Sequence, residues 1–168
     1  MQRLQLTLAI IKPHAVKNPV ALSRIRHVLR SEFVVVRTRR LLMTREAAGK
    51  FYKEHEGKFF YNRLVTFMSR RRRALRADSD AVRRWRAALG PTAVSRAQFT
   101  APCSLRALFG LSDTRNVAHG SDSDSTAERE IQFFFPDFSW SQWREREPLY
   151  RHGRLIFDNA QFHHLPIG

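Results

Sequence analysis

Asn116-Val117-Ala118-His119-Gly120-Ser121-Asp122-Ser123 is the stretch on which the reading of this 168-residue chain turns. A histidine stands between a short apolar stretch and a small, flexible Gly-Ser-Asp-Ser run. An acid-rich segment with helical spacing follows at once. It carries the capping-box pattern Ser125-x-x-Glu128 and an apolar side of Ile131, Phe134 and Phe135, and it ends at Pro136. The glycine lets backbone or ligand come close, and the hydroxyl and carboxylate groups can hold an imidazole ring. Imidazole is a competent nucleophile near neutral pH, so such a site can carry a transferred group covalently. The residue types alone equally describe an ordinary loop histidine, one of seven in the chain.

The segments upstream supply a scaffold for this octet. Residues 5–12 predict a strand buried on both faces, with Leu6, Leu8 and Ile10 alternating with Thr7, Ala9 and Ile11, and Pro13 stops it. Ala21, Leu22, Ile25, Val28 and Leu29 recur at helical spacing behind Pro19. Residues 33–42 read as a second strand, and Thr44 can cap a short helix through Tyr52. Phe60, Leu64, Val65 and Met68 form a helical stripe. Ser79 or Asp80 opens another helix, with Ala81, Val82, Trp85 and Leu89 inward and Gly90-Pro91 at its close. A weak strand candidate lies between these two helices, and Val117-Ala118 reads as a short final strand. The order predicts an α+β protein, a ferredoxin-like βαββαβ sandwich in which helices cover an antiparallel sheet. One domain over residues 1–136 is expected. Residues 137–168 are aromatic, proline-containing and aperiodic, and are expected to wrap its surface as an extension.

Charge and motif content narrow the chemistry. The net charge is +15, carried by 25 Arg and 5 Lys. Residues 1–110 hold 24 basic and 6 acidic groups, and residues 111–168 hold 6 and 9. The basic first part suits phosphate-bearing ligands, nucleic acid or an acidic partner. A GC-rich coding bias placing arginine on solvated faces would give the same composition. The lone cysteine, Cys103, excludes an internal disulfide and a cysteine-based zinc site, and favours a reducing compartment. No apolar run approaches the roughly 20 residues that span a bilayer. The first apolar run reads as a strand rather than a signal peptide, so an intracellular protein is expected. Gly49-Lys50 lacks the remaining residues of a Walker A loop, and no kinase Gly-rich loop or His-Arg-Asp motif occurs. A phosphate site would have to be assembled from scattered cations and hydroxyls.

The octet resembles the active-site motif of nucleoside diphosphate kinases, in which Asn-x-x-His-Gly-Ser-Asp-Ser holds a phosphorylated histidine. The resemblance extends over residues 4–135. Thr7-Leu8-Ala9-Ile10-Ile11-Lys12-Pro13 is similar to the family's opening strand, and Tyr52-Lys53-Glu54-His55-Glu56-Gly57-Lys58-Phe59-Phe60 to the turn before its base-binding helices. The resemblance implies that Lys12 reaches a terminal phosphate, that Tyr52 lies beside His119, and that Phe60 with Leu64 offers the face on which the base stacks. It implies phosphate binding by Arg86, Thr92 and Arg106, and contact of Asn116 with sugar hydroxyl and phosphate. It also implies that Ser121 and Glu130 support His119, the nucleophile phosphorylated at its pros nitrogen. Asp122 would hold a water of a phosphate-bound Mg²⁺. The implied activity is ping-pong transfer of the γ-phosphate of a nucleoside triphosphate to a nucleoside diphosphate. The segments Phe59-Phe60-Tyr61-Asn62-Arg63-Leu64-Val65 and Phe109-Gly110-Leu111-Ser112-Asp113-Thr114-Arg115-Asn116 resemble the divergent group II branch. That branch is associated with mitochondria and with a C-terminal extension. The family often forms homo-oligomers.

Three departures from the family pattern stand out. His14 follows the Lys-Pro pair where the family has aspartate. Ala107 follows Arg106 where the family has glycine. Arg70-Arg71-Arg72-Arg73-Ala74-Leu75-Arg76-Ala77 replaces a Gly-Pro turn and an apolar central strand. The strand persists weakly around Ala74 to Ala77, or the arginines Arg70 to Arg73 serve a partner, or the reading contains a local error. The second of these gives the alternative function: a weakly active or inactive homologue that binds RNA or an acidic protein.

Overall fold

Strand β1 (Gln5–Ile11) is buried along nearly its whole length and divides the interior in two. The computed structural model describes residues 3–68, 73–78 and 80–167, with 73–78 as backbone alone. On one face of the sheet Leu6, Leu8 and Ile10 pack with Phe51, Met68, Ile131 and Phe134. On the other, Ala9 and Ile11 pack with Ile25, Leu29, Trp85 and Leu89. A strand covered on both faces must be apolar at consecutive positions, which is the pattern its sequence shows.

The chain runs from β1 through a five-residue helix α1 (Pro13–Lys17) into α2 (Pro19–Glu32). Asn18 caps α2, its side chain accepting from the amides of Val20 and Ala21, with Pro19 at the first helical position. Strand β2 (Val34–Arg39) leads to α3 (Arg45–Phe51), capped by Thr44, and then to α4 (Tyr61–Met68). Strand β3 (Arg73–Asp78) precedes α5 (Ala81–Leu89), α6 (Val94–Thr100) and α7 (Leu105–Phe109). Strand β4 (Ala118–Gly120) and α8 (Asp124–Phe134) complete the core. The sheet order is β2-β3-β1-β4, antiparallel throughout, as expected of the ferredoxin-like arrangement.

From Arg73 onward the arginine-rich departure is a strand. The backbone of β3 pairs with β1 from Arg73↔Ile10 to Asp78↔Gln5 and with β2 on its other side. Arg70, Arg71 and Arg72 of the anticipated partner patch, and Ser79, lie outside the described residues. The alanine after Arg106 is also accommodated. Ala107 is inside α7, its amide donates to the Ser104 cap, and the positive-φ non-glycine residues are Val117 and Phe162 alone among the described residues. No left-handed conformation is required at Ala107, so its methyl group carries no backbone penalty.

Three sequence expectations are corrected. Helices α6 and α7 lack a clear apolar period and were not anticipated. The cap of α8 is Ser123, whose hydroxyl accepts from the Thr126 amide, rather than Ser125 of the capping-box pattern. Residues 137–168 are regular rather than irregular. They form α9 (Trp140–His152) and a hairpin of β5 (Arg154–Asp158) and β6 (His163–Ile167). The buried positions of α9 are Trp143, Glu147 and Tyr150, at helical spacing. A carboxylate in the middle of that stripe and Pro148 beside it hide the period. Glu147 is buried because its Oε1 accepts the Leu4 amide at 2.9 Å and faces Arg151 at 3.5 Å. No helix among the described residues is long and apolar enough to cross a membrane.

The hairpin lies against β2, an edge strand of the main sheet. The Val35 amide donates to His164 Nδ1 at 2.9 Å, Thr38 Oγ1 donates to the Phe162 carbonyl at 2.7 Å, and Arg30 sits 4.8 Å from the Phe157 ring centroid. A side chain thus satisfies a backbone donor that the edge would otherwise leave open. Replacing His164 by leucine is expected to lower stability by about 1 kcal/mol, the usual value of such a bond. Urea unfolding reads this, and an unchanged midpoint would show that the contact contributes nothing.

Candidate active site

The octet enters the sheet through a strained turn. Val117 is fully buried and β-branched, yet its φ is +75°. The Ala118 amide donates to the Asn116 carbonyl at 2.9 Å, which closes a three-residue γ-turn in its rarer sense. Such a conformation costs about 1–3 kcal/mol and persists only where surrounding contacts over-determine it. Here the Val117 carbonyl accepts the Lys12 amide at 2.8 Å, and the Val117 amide donates to His14 Nε2 at 3.3 Å. The turn swings β4 into register with β1, placing His119 opposite Ile10. Gly120 follows because Trp85 lies against its α-carbon, and the indole Nε1 donates to the His119 carbonyl at 3.1 Å.

A chain of hydrogen bonds fixes the imidazole. His119 Nε2 is 2.8 Å from Glu130 Oε1, and the other carboxylate oxygen accepts from Ser121 Oγ at 2.6 Å. Ser121 Oγ in turn accepts the Leu8 amide at 3.2 Å. Glu130 and Ser121 are buried, whereas the His119 side chain keeps about a quarter of its surface. An ionised carboxylate only accepts, so Nε2 carries the proton and the Nδ1 lone pair is left for chemistry. The order follows from the elements: β4 delivers His119, Ser121 stands directly after its end, and the first helix after it delivers Glu130 from its inner face.

Cationic groups gather behind the turn. Lys12, at the end of β1, is buried, and its ammonium donates to the Thr114 carbonyl at 2.9 Å. Burial, with Arg106 nearby, pushes its pKa down to about 7. Arg106 uses three of its N–H groups on the carbonyls of Asn116, Gly90 and Ala118, at 3.2, 2.7 and 3.1 Å. Its burial, with Arg86 nearby, pulls its pKa down to about 10. It therefore holds the turn as well as contributing charge, with two N–H groups left over. Arg86 and Thr92 are exposed. Asn116 is buried, its Nδ2 donating to the Thr92 carbonyl at 3.0 Å, while its Oδ1 has no partner among the described residues. An unmatched buried acceptor beside a cluster of cations is an opening for a ligand hydroxyl.

Aromatic rings form the opposite wall. Phe51 and Tyr52 meet the His119 ring edge-on at centroid distances of 5.6 and 6.4 Å. Tyr52 stacks on His55 at 6.1 Å, and His55 meets Phe60 at 5.6 Å. Phe60 is half-buried, with the Lys58 ammonium 5.9 Å from its centroid, so part of a ring face stays accessible. Leu64 is buried in the core beneath. Asp122 is exposed, and a hydrogen bond from Thr126, with smaller contributions that include Arg86 and His119, holds its carboxyl below the usual range.

Sequence reasoning missed Phe51 and the roles of Trp85, His55 and Val117 at the site. Trp85 had a signal, since a buried indole N–H needs an acceptor. Val117 had none, because valine is among the residues least expected at positive φ.

A family model described as nucleoside diphosphate kinase matches residues 5–140. A human protein called nucleoside diphosphate kinase 6 (Homo sapiens) is 50% identical over 160 residues, covering 93% of this chain and 86% of the relative. Its zebrafish counterpart (Danio rerio) is 44% identical over 167 residues, covering 97% and 95%. Among solved structures, the nucleoside diphosphate kinase of Aquifex aeolicus superposes with a TM-score of 0.74 at 34% identity, covering 82% of this chain and 97% of that one.

Gly120→Ala tests the close approach. The added Cβ would lie 2.5 Å from Trp85 Cδ1, so the indole must move and its bond to His119 must break. A loss of about 1–3 kcal/mol is expected from such overpacking, with a red-shifted tryptophan emission. Unchanged stability and emission would mean that the indole is not seated there.

Proposed function

Because the chain belongs to the nucleoside diphosphate kinase family, we propose that it is a working nucleoside diphosphate kinase, carrying the phosphoryl group on His119. The carrying observation is the Glu130 carboxylate at 2.8 Å from Nε2, which leaves Nδ1 as the nucleophilic nitrogen. In the first half-reaction the Nδ1 lone pair forms a bond to the γ-phosphorus of a nucleoside triphosphate. The bond from that phosphorus to the β,γ-bridging oxygen breaks, and the electron pair leaves on the diphosphate. In the second, a terminal oxygen of another nucleoside diphosphate attacks the same phosphorus, and the N–P pair returns to Nδ1. Glu130 balances the positive charge that the ring acquires, and Ser121 keeps the carboxylate in line.

The remaining residues bind and orient. Lys12, Arg86 and Arg106 spread the negative charge of the transferring group, so positioning and electrostatics carry most of the catalysis. Thr92 adds a hydroxyl donor, and Tyr52 walls the nucleophile. The open Oδ1 of Asn116 suits a sugar hydroxyl. A base resting on the exposed part of Phe60 would be held by stacking, which all bases offer, so broad nucleotide tolerance is expected.

Mg²⁺, which the family resemblance implies, fits the acidic groups present only as a lightly held ion. Among the described residues no three His, Cys, Asp or Glu side chains come together as a cage. Asp122, exposed and ionised, can hold one water of an ion otherwise bound by phosphate oxygens. When bound, the ion would neutralise phosphate charge.

Incubation with magnesium ATP, removal of nucleotide and intact-mass measurement should show an acid-labile phosphoryl adduct. His119→Ala should abolish it, and Glu130→Gln should slow its formation by about 10–100-fold. Absence of an adduct, or one that survives in His119→Ala, would sink the proposal. Lys12 supplies a second test. In the free protein burial, with Arg106 nearby, pushes its pKa down to about 7, and an adjacent phosphate would raise that value again. Diphosphate binding at about pH 8.5 should therefore take up about one proton, read by calorimetry in buffers of different ionisation enthalpy. Lys12→Met should remove the uptake, and a wild-type protein that binds without any would contradict the role.

A further inference from the structure

The residue after Lys12-Pro13 is His14, and the structure gives it a specific contact. His14 lies in α1, 103 residues before Val117, and its Nε2 accepts the Val117 amide at 3.3 Å. That amide belongs to the strained γ-turn, and it is one of only two polar backbone groups on a residue that must be held at positive φ. We propose that His14 is a positioning residue: its neutral imidazole, accepting the Val117 N–H, holds the strained turn in the form that presents Asn116 and His119. The consequence for catalysis rests on the phosphotransfer reading; the effect on the turn does not.

The surroundings keep the ring neutral and in one tautomer. The ring rests on Phe67 at a centroid distance of 5.6 Å and 38°, and the Arg115 guanidinium carbon lies 5.7 Å from the same Phe67 centroid. His14 also lines a cavity of about 1060 Å³ with Lys17, Arg63 and Arg115, and no carboxylate lines it among the described residues. Lys12, at the end of β1, is a further cation facing the ring. Among the described residues the charges that face the imidazole are therefore positive, which opposes its protonation. Burial and then Lys12 and Arg115 push its pKa down to about 4. With Nε2 accepting, the proton sits on Nδ1, which is buried and has no partner among the described residues. The ring accepts this cost at Nδ1 while offering its lone pair to Val117, which is the arrangement expected if Nε2 matters most.

A folded-state value below the ordinary 6.5 means that the unfolded chain takes up the proton first. The contact is complete at pH 6.5 and above and is lost as pH falls through about 4, where a second N–H would face the Val117 amide. An acceptor that cannot titrate should remove this acid sensitivity.

The test compares the wild type with His14→Gln, whose Oε1 can replace Nε2, and His14→Phe, which keeps the ring but offers no acceptor. Amide hydrogen exchange of Val117 by NMR is read first. At pH 6.5 His14→Phe should exchange at least about tenfold faster than wild type at this amide, and His14→Gln should stay close to wild type. On acidification the wild-type Val117 amide should lose protection while the Lys12 amide, bonded to the Val117 carbonyl, keeps its own. In His14→Gln both should persist. Phosphoenzyme formation should fall about tenfold in His14→Phe, mainly in the maximal rate rather than in the nucleotide concentration required, and recover in His14→Gln. Unchanged Val117 protection in His14→Phe, or a glutamine variant as defective as phenylalanine, would overturn the proposal. If His14→Phe does not fold, the wild-type and glutamine pH series decides alone. If the wild type forms no phosphohistidine at any pH, the catalytic reading fails while the Val117 measurement still judges His14.

Discussion

The buried carboxylate of Glu130 is the constraint on which the site depends. It cannot be left without donors in the interior, and the protein supplies two, Ser121 Oγ at 2.6 Å and His119 Nε2 at 2.8 Å. Ser121 is itself tied to the Leu8 amide of the central strand. A single satisfied charge thus links β1, β4 and α8 and decides which imidazole nitrogen faces outward. The cations lie on the other side of the octet, where Arg106 is spent partly on the Asn116 and Ala118 carbonyls of the turn itself and Lys12 on the Thr114 carbonyl just before it. The same groups that would meet phosphate therefore also hold the nucleophile in place.

This arrangement explains why the chain tolerates strain at Val117. Both polar backbone groups of that residue are engaged, one by the Lys12 amide and one by His14. Its side chain is closed into the core beside Leu105 and Trp85. Local propensity opposes the conformation, and tertiary contacts impose it, the usual balance at a site where geometry serves chemistry. The opposite wall is built differently. Phe51, Tyr52, His55 and Phe60 form a run of rings from the core to the surface, so contact with a ligand there would be sequence-tolerant rather than precise.

Much of this was legible in the residues. The double alternation of β1, the Pro19 entry of α2 and the order of elements led to the correct sheet, because burial on two faces and helix entry leave strong local marks. Other parts were hidden for physical reasons. Glu147 and Pro148 mask α9, whose stripe is completed by a buried ion rather than an apolar side chain. The strand character of β3 is weak in Arg73-Ala74-Leu75-Arg76, where a strand around Ala74 to Ala77 is one of three alternatives, and its pairing with β1 and β2 decides among them. The γ-turn at Val117 could not be read, since nothing local favours it. The motif pointed to His119 and Glu130, but their distance depends on where α8 starts, and Ser123, not Ser125, sets that start.

The most direct measurement is the nitrogen-15 NMR spectrum of the His119 ring in the ligand-free protein at neutral pH. The ring is expected to carry its proton on Nε2, with Nδ1 showing the downfield shift of a bare lone pair, and Glu130→Ala is expected to collapse that preference. A ring protonated at Nδ1, or a tautomer mixture that Glu130→Ala leaves unchanged, would contradict it.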